Sequence, residues 1–182
     1  AADAIEQLHR RAPLDAIVAV DDVGQRAAAA ACARIGLRCN PSQAVFASRD
    51  KVAMRQALGA AGVAQPEYRV AAVGDDVAAL AAELGLPCVV KPVSLSASQG
   101  VIRVDDTREA ELAAQRIRKI LESTNEDAAG PLLIERYVPG AEVAVEGLLR
   151  AGQLELLAVF DKPDPLEGPY FEETIYVTPS RL

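Results

Sequence analysis

The sequence predicts an α/β protein of the α+β kind, on three observations. Short apolar runs alternate with Ala- and Leu-rich helical stretches between Tyr68 and Val138. One further strand-like run and an Ala-rich stretch precede them, at Ala16–Val20 and Gln25–Ile35. Beyond Pro139-Gly140 the pattern turns into two long β-prone runs about Ala151-Gly152. With 182 residues, 51% of them hydrophobic, the chain can bury a real core as one domain or two small ones.

The elements follow in order. Ala16–Val20 (AIVAV) reads as a buried strand ending at Asp21-Asp22. Gln25–Ile35 is helical by propensity, with Gly36 placed to cap it. This pair looks like the last piece of a larger α/β domain, so the true N-terminus is expected upstream of Ala1. Ser48 is the expected N-cap of a helix running to about Ala61, closed by Gly62 and kept from resuming by Pro66.

Tyr68–Val73 reads as a strand, and Asp75–Leu84 as a helix capped by Asp75 and stopped by Gly85. Cys88–Lys91 and Val101–Val104 are strands. Asp106 and Glu109 have capping-box spacing for a helix to about Glu122, with Leu112, Ile117, Ile120 and Leu121 on its apolar side. Ser123–Gly130 is a loop and Leu132–Val138 a strand. Glu142–Leu149 and Leu154–Phe160 make a hairpin through Ala151-Gly152. A Pro-rich loop (Pro163–Phe171) and a β-prone stretch (Thr174–Thr178) end the chain, so the last sheet is expected to be unfinished.

Composition narrows the function classes. A net charge of −7 and the lack of a Lys/Arg stripe argue against a nucleic-acid partner. Cys32, Cys39 and Cys88 form no CxxC pair, which suits reduced, half-buried thiols and a cytoplasmic location. No apolar run approaches the roughly 18 residues of a membrane span, so no membrane partner is expected. His9, the only histidine, sits in a charged helical segment and receives no role.

The chemistry-bearing residues lie between Lys51 and Lys162. Lys91 ends an apolar strand before Pro92, where a lysine is either a solvated strand end or an anion ligand. The small residues Ser94–Val101 follow. They are a plain hairpin turn, and equally a loop whose N–H groups and hydroxyls can line a phosphate. Neither GxxxxGK[ST] nor GxGxxG occurs. Glu135-Arg-Tyr-Val138 runs into Pro139-Gly140 as a hinge that can offer backbone and an apolar wall to a base. Glu142 is either an exposed strand-end charge or a ribose ligand. Lys51, badly placed for its helix dipole, and Lys162, at a strand end, are solvated lysines or phosphate ligands.

In this order, Asp50-Lys51, Val90-Lys91-Pro92, Ser96-Ala-Ser98-Gln-Gly100-Val101, Glu135…Gly140-Ala-Glu142 and Asp161-Lys162-Pro163…Gly168-Pro169-Tyr-Phe171 resemble the ATP-grasp family of ligases. The likeness is closest in character to the branch of L-amino-acid ligases and carnosine-synthase-like enzymes, and covers nearly the whole chain. It implies an incomplete ATP-grasp fold: residues 1–45 as the end of a Rossmann-like preceding domain, 46–65 as a linking helix, 66–138 as the small nucleotide-covering subdomain and 139–182 as the start of the large one.

The resemblance also implies roles. Lys51 and Lys91 would contact ATP phosphates, with Ser96, Ser98, Gly100 and Val101 in the loop covering them. Glu135, Tyr137 and Val138 would hold adenine, Glu142 the ribose and Lys162 the terminal phosphate. Each charge-assisted contact is worth about 1.5–3 kcal/mol. Magnesium would bridge the phosphates, with its ligands expected beyond Leu182. The implied reaction activates a small-molecule carboxylate as an acyl phosphate for attack by an amine, although this chain alone is expected to be inactive.

Ala97 stands where many relatives have glycine. Glu172 and Glu173, in the loop after Lys162, are not expected to be metal ligands. A biotin-carboxylase-like or purine-biosynthetic carboxylase shares the same nucleotide grip, and a non-catalytic nucleotide-binding module is the reading from another class. The oligomeric state stays open, a homodimer included.

Overall fold

The computed structural model describes every residue from Ala1 to Leu182. The chain divides into two compact units, Ala1–Gln65 and Pro66–Leu182.

The first unit is helical: α1 (Ala2–Arg11), α2 (Asp22–Ile35), α3 (Ser42–Arg49) and α4 (Lys51–Ala60), each packed on the next in sequence. The Asp21 carboxylate accepts the Gly24 N–H at 2.5 Å to start α2, and Gly36, at φ 76°, ends it. Ala16–Val20 is not a strand. No strand lies beside it, and Val18 and Val20 are 82% and 95% exposed. An apolar run becomes a strand only when a neighbouring backbone takes up its N–H and C=O groups.

Nor does Ser48 cap a helix. It sits in the last turn of α3 and its hydroxyl donates to the Val45 carbonyl at 2.8 Å. The chain breaks at Asp50, whose extended backbone (φ −100°, ψ 107°) and carboxylate, accepting the Ala53 N–H at 2.8 Å, start α4. The expected helix is thus α4, starting two residues later than read from Ser48, and α3 precedes it as a further helix.

The second unit contains β1 (Tyr68–Ala71), α5 (Val77–Leu84), β2 (Cys88–Pro92), β3 (Ile102–Val104), α6 (Thr107–Ser123), β4 (Leu132–Arg136), β5 (Val143–Arg150) and β6 (Gln153–Asp161). The first four strands form an antiparallel sheet in the order β1-β4-β2-β3. Strand side chains alternate between faces. Cys88, Val90, Ile102, Val104, Leu132 and Ile134 pack on one face with Leu84, Ala110, Ala113, Ile117 and Leu121 of α5 and α6. The register then sends Val89, Lys91, Leu133 and Glu135 to the other face, away from the helices.

Helix α6 starts as its spacing predicts. The Asp106 carboxylate accepts the Glu109 N–H at 2.8 Å, and Glu109 reaches back to the Asp105 N–H at 2.8 Å. Its buried stripe is Ala110, Ala113, Ile117 and Leu121. Leu112, expected there, is exposed because two residues from Ala110 is over half a turn round the helix. Asp76, not Asp75, caps α5 by accepting the Ala79 N–H at 3.0 Å. Asp75 instead closes the preceding turn on the Ala72 N–H at 2.8 Å.

β5 and β6 pair through Ala151 and Gly152, whose φ values of 50° and 79° are those of a tight two-residue hairpin loop. A bulge falls at Glu146/Gly147, where an added Cβ on Gly147 would lie 2.8 Å from the Glu155 carbonyl oxygen. The β-prone stretch near the end contributes one bridge, Val177 to Asp161.

Candidate nucleotide-binding site

Lys91 and Glu135 stand two rungs apart on neighbouring strands, on the sheet face opposite α5 and α6. Lys91 Nζ lies 2.5 Å from a Glu135 carboxylate oxygen, and the two side chains are only 14% and 7% exposed. A charge pair so far from water persists only when its members neutralise each other. This lysine is therefore not a solvated strand end.

The loop after β2 carries an unusual backbone. Ala97, Ser98 and Gly100 all have positive φ, at 53°, 54° and 72°. Only glycine visits that region freely, so Ala97 and Ser98 hold a conformation costing about 1–2 kcal/mol each. At Gly100 there is a second requirement: a Cβ would sit 3.1 Å from Pro92 Cδ. The Gln99 N–H donates to the Ser96 carbonyl (3.2 Å) and the Val101 N–H to that of Ser98 (3.1 Å), which makes the loop a pair of overlapping tight turns.

A second cluster surrounds Lys162, just after β6. Its side chain is only 6% exposed and donates to both Glu142 and Glu173, the latter at 2.7 Å, with Nζ 5.9 Å from the centre of the Tyr176 ring. Tyr176 donates its hydroxyl proton to the other Glu173 oxygen. Burial pulls the Lys162 pKa down, but the hydrogen bonds it donates to Glu142 and Glu173 outweigh it and leave the ammonium above its ordinary value. Lys162 and Tyr176 hold the Glu173 carboxyl below its usual range, and Glu173 in turn holds the Tyr176 phenol up.

The segment supplying Glu173 is itself tied down. The Asp164 carboxylate accepts the Thr174 N–H at 2.7 Å and its hydroxyl at 2.9 Å. Asp161 accepts the Ser180 hydroxyl at 2.5 Å and the Arg181 N–H at 3.1 Å. Near β3, the Arg103 guanidinium donates to the Glu167 carbonyl at 2.8 Å and lies 4.3 Å from the centre of the Tyr137 ring. A cavity of about 930 Å³ opens between the Ser-rich loop and this segment, lined by Ser98, Gly100, Val101, Arg116, Tyr170 and Glu173 among others.

The residues singled out from sequence thus fall into several places. Lys91 meets Glu135, and Glu142 meets Lys162. Ser98, Gly100 and Val101 face the cavity, whereas Ser96 does not line it. Val138 is exposed beyond the end of β4, while Tyr137 stacks with Arg103 and donates its N–H to the Pro87 carbonyl at 3.0 Å. Lys51 opens α4 in the first unit. Sequence reasoning gave no role to Glu173 and Tyr176. Their only signal was an acid and an aromatic three residues apart after a strand-end lysine. No three His, Cys, Asp or Glu side chains gather with metal-binding geometry.

The second unit thus carries a buried lysine at the root of a strained small-residue loop and another just after β6. The chain is a member of the ATP-grasp family: its residues 84–182 match the ATP-grasp domain. Among its relatives, alanine–anticapsin ligase of Bacillus subtilis (strain 168) is 31% identical over 199 aligned residues, 99% of this chain and 42% of that protein. The crystal structure of L-amino acid ligase from Bacillus licheniformis matches with a TM-score of 0.78 and 27% identity, over 100% of this chain and 41% of that one.

The biotin carboxylase domain of 2-oxoglutarate carboxylase from Hydrogenobacter thermophilus, solved with MgADP, ADP and bicarbonate, shares the fold. Its TM-score is 0.72 at 17% identity, over 99% of this chain and 40% of that one. The chain spans about two fifths of the length of the relatives it matches.

Proposed function

We propose that the chain is the ATP-binding part of an ATP-dependent ligase that joins a small-molecule carboxylate to an amine. The observation that carries this reading is the buried Lys91–Glu135 pair at the root of the Ser96–Val101 loop. A cation held there by one carboxylate, beside backbone N–H groups in left-handed conformation, suits a polyphosphate better than a neutral ligand. The alanine–anticapsin and L-amino acid ligases among the relatives support the carboxylate–amine branch.

In this reading a carboxylate oxygen takes the terminal phosphoryl group of ATP, releasing ADP, and the amine attacks the resulting acyl phosphate, forming the amide as inorganic phosphate and a proton leave. Lys91 and Lys51 hold phosphate oxygens, and the loop with Ser96, Ser98, Gly100 and Val101 covers them. Glu135, Tyr137 and Val138 form the adenine edge, Glu142 takes the ribose hydroxyls and Lys162 the terminal phosphate. Their contribution is positioning and charge stabilisation rather than covalent chemistry. Residues 66–138 act as the small nucleotide-covering subdomain and 139–182 as the beginning of the large one. Magnesium would supply charge neutralisation at the phosphates, no group of three acidic, His or Cys side chains of this chain being arranged to hold it, and a cytoplasmic enzyme, working alone or as a homodimer, fits the reading.

ATP hydrolysis by the protein, followed with amino acids or with bicarbonate as co-substrate, tests it. Amine-dependent turnover supports the ligase. Bicarbonate-dependent turnover replaces it with the carboxylase reading that the fold shared with biotin carboxylase favours.

A further inference from the structure

The lysine assigned to the terminal phosphate is already occupied. Lys162 donates to Glu142 and Glu173, so a single cation faces two carboxylates and the trio carries one negative charge in excess. An incoming phosphate meets net repulsion there unless a carboxylate withdraws. Glu142 has another task in the proposed site, on the ribose. Glu173 has none.

Glu173 is also the better-built of the two. Its neighbour Thr174 is pinned by backbone and side chain to Asp164, at 2.7 and 2.9 Å. Its second carboxylate oxygen is taken by the Tyr176 hydroxyl. Its side chain is 28% exposed against 52% for Glu142, and it lines the cavity that also holds Ser98, Gly100 and Val101. The carboxylate is thus delivered to Lys162 by the folded Asp164–Tyr176 segment, and two oxygens of one anion bridge Lys162 and Tyr176 as two oxygens of a phosphate can.

We infer that Glu173 is an internal stand-in for the terminal phosphate and the residue that sets the site's discrimination between nucleoside triphosphates and diphosphates. The inference rests on the proposed role of Lys162. A triphosphate must displace Glu173 from Lys162. A diphosphate, lacking the last phosphate, leaves the Lys162–Glu173 contact in place. Glu173 therefore lowers triphosphate affinity selectively and returns to Lys162 once the terminal phosphate has gone.

The test is calorimetric titration of ADP and of the hydrolysis-resistant analogue AMP-PNP into the wild-type protein, Glu173→Gln and Glu172→Gln. Circular dichroism checks that all three keep the fold. Glu172 lines the same cavity beside Glu173 and controls for loss of a nearby charge. Glutamine keeps the shape of Glu173 and an acceptor for Tyr176 but removes the charge on Lys162. AMP-PNP is expected to bind Glu173→Gln about tenfold more tightly than wild type, the scale of one charge-assisted contact. ADP affinity and the Glu172→Gln protein are expected to be unchanged.

Unchanged or weaker AMP-PNP binding by Glu173→Gln overturns the inference. So does an equal gain for ADP or for Glu172→Gln, which would reduce it to general charge. A protein that binds neither nucleotide in any form instead removes the functional reading, and this inference with it.

Discussion

Lys91 Nζ and a Glu135 carboxylate oxygen lie 2.5 Å apart on the sheet face opposite α5 and α6, with both side chains nearly withdrawn from solvent. The pleat of β2 and β4 makes this meeting unavoidable. Once Val90 and Ile134 turn into the core, Lys91 and Glu135 must share the other face. Their mutual dependence has a measurable consequence. Lys91→Met leaves Glu135 without its lysine, and is expected to cost about 3–5 kcal/mol in urea unfolding. Pairing it with Glu135→Gln is expected to recover part of that loss, since the carboxylate that faced Lys91 is then neutral. Equal stability of the single and double variants would contradict the pairing.

Gly100 is needed twice over, for its φ of 72° and for the 3.1 Å approach of Pro92 Cδ to a would-be Cβ. Gly100→Ala is expected to destabilise the protein by more than about 1 kcal/mol in chemical denaturation. Ala97→Gly, which relieves a left-handed alanine, is expected to be neutral or slightly stabilising, because the gain is offset by the freer unfolded chain. A tolerated Gly100→Ala would show that the loop does not hold this backbone.

The start of α6 depends on one carboxylate. Asp106→Ala removes the acceptor of the Glu109 N–H, and is expected to cost about 1 kcal/mol in thermal or urea unfolding. Asp106→Asn, which keeps an acceptor, is expected to lose much less. Identical losses for the two would mean that capping is not the operative contact.

The C-terminal segment should be sensitive to acid. Hydrogen bonds hold Asp161, Asp164 and Glu173 below their ordinary values of 3.8, 3.8 and 4.5. Depressed carboxyl groups stabilise the fold above their unfolded values, and that stability is lost as pH falls through the lower folded ones. Lys162, raised above 10.5, contributes below that value and is lost only at more alkaline pH. Amide exchange at Thr174 and Arg181 is therefore expected to lose protection below about pH 4, well before the core strand residue Ile134. Simultaneous loss at all three would contradict a separately held segment.

How much of this was legible in the sequence varied with how local the cause was. The Asp106/Glu109 box, the Gly36 stop and the Ala151-Gly152 hairpin are set by neighbours a few residues apart, and all three stand where the sequence put them. Adjacent candidates were harder: Asp75 and Asp76 both accept backbone N–H groups, and only geometry tells the turn from the cap. Ala16–Val20 has the composition of a strand but no partner in its unit, and Leu112 has the hydrophobicity but the wrong angle round α6.

At the site, Lys91 and Lys162 stood out from sequence as residues, but their carboxylate partners could not be read. Glu135 reaches Lys91 through sheet register, and Glu173 reaches Lys162 through a loop fastened by Asp164. Neither contact follows from spacing along the chain.

The most direct measurement is the affinity of the protein for ATP with Lys91 intact and with Lys91→Ala, at matched circular dichroism and below the unfolding midpoint of the variant. The account predicts measurable ATP binding that falls at least severalfold, about the weight of one charge-assisted phosphate contact, when Lys91 is removed. ATP binding that is unchanged in a folded Lys91→Ala protein would contradict it.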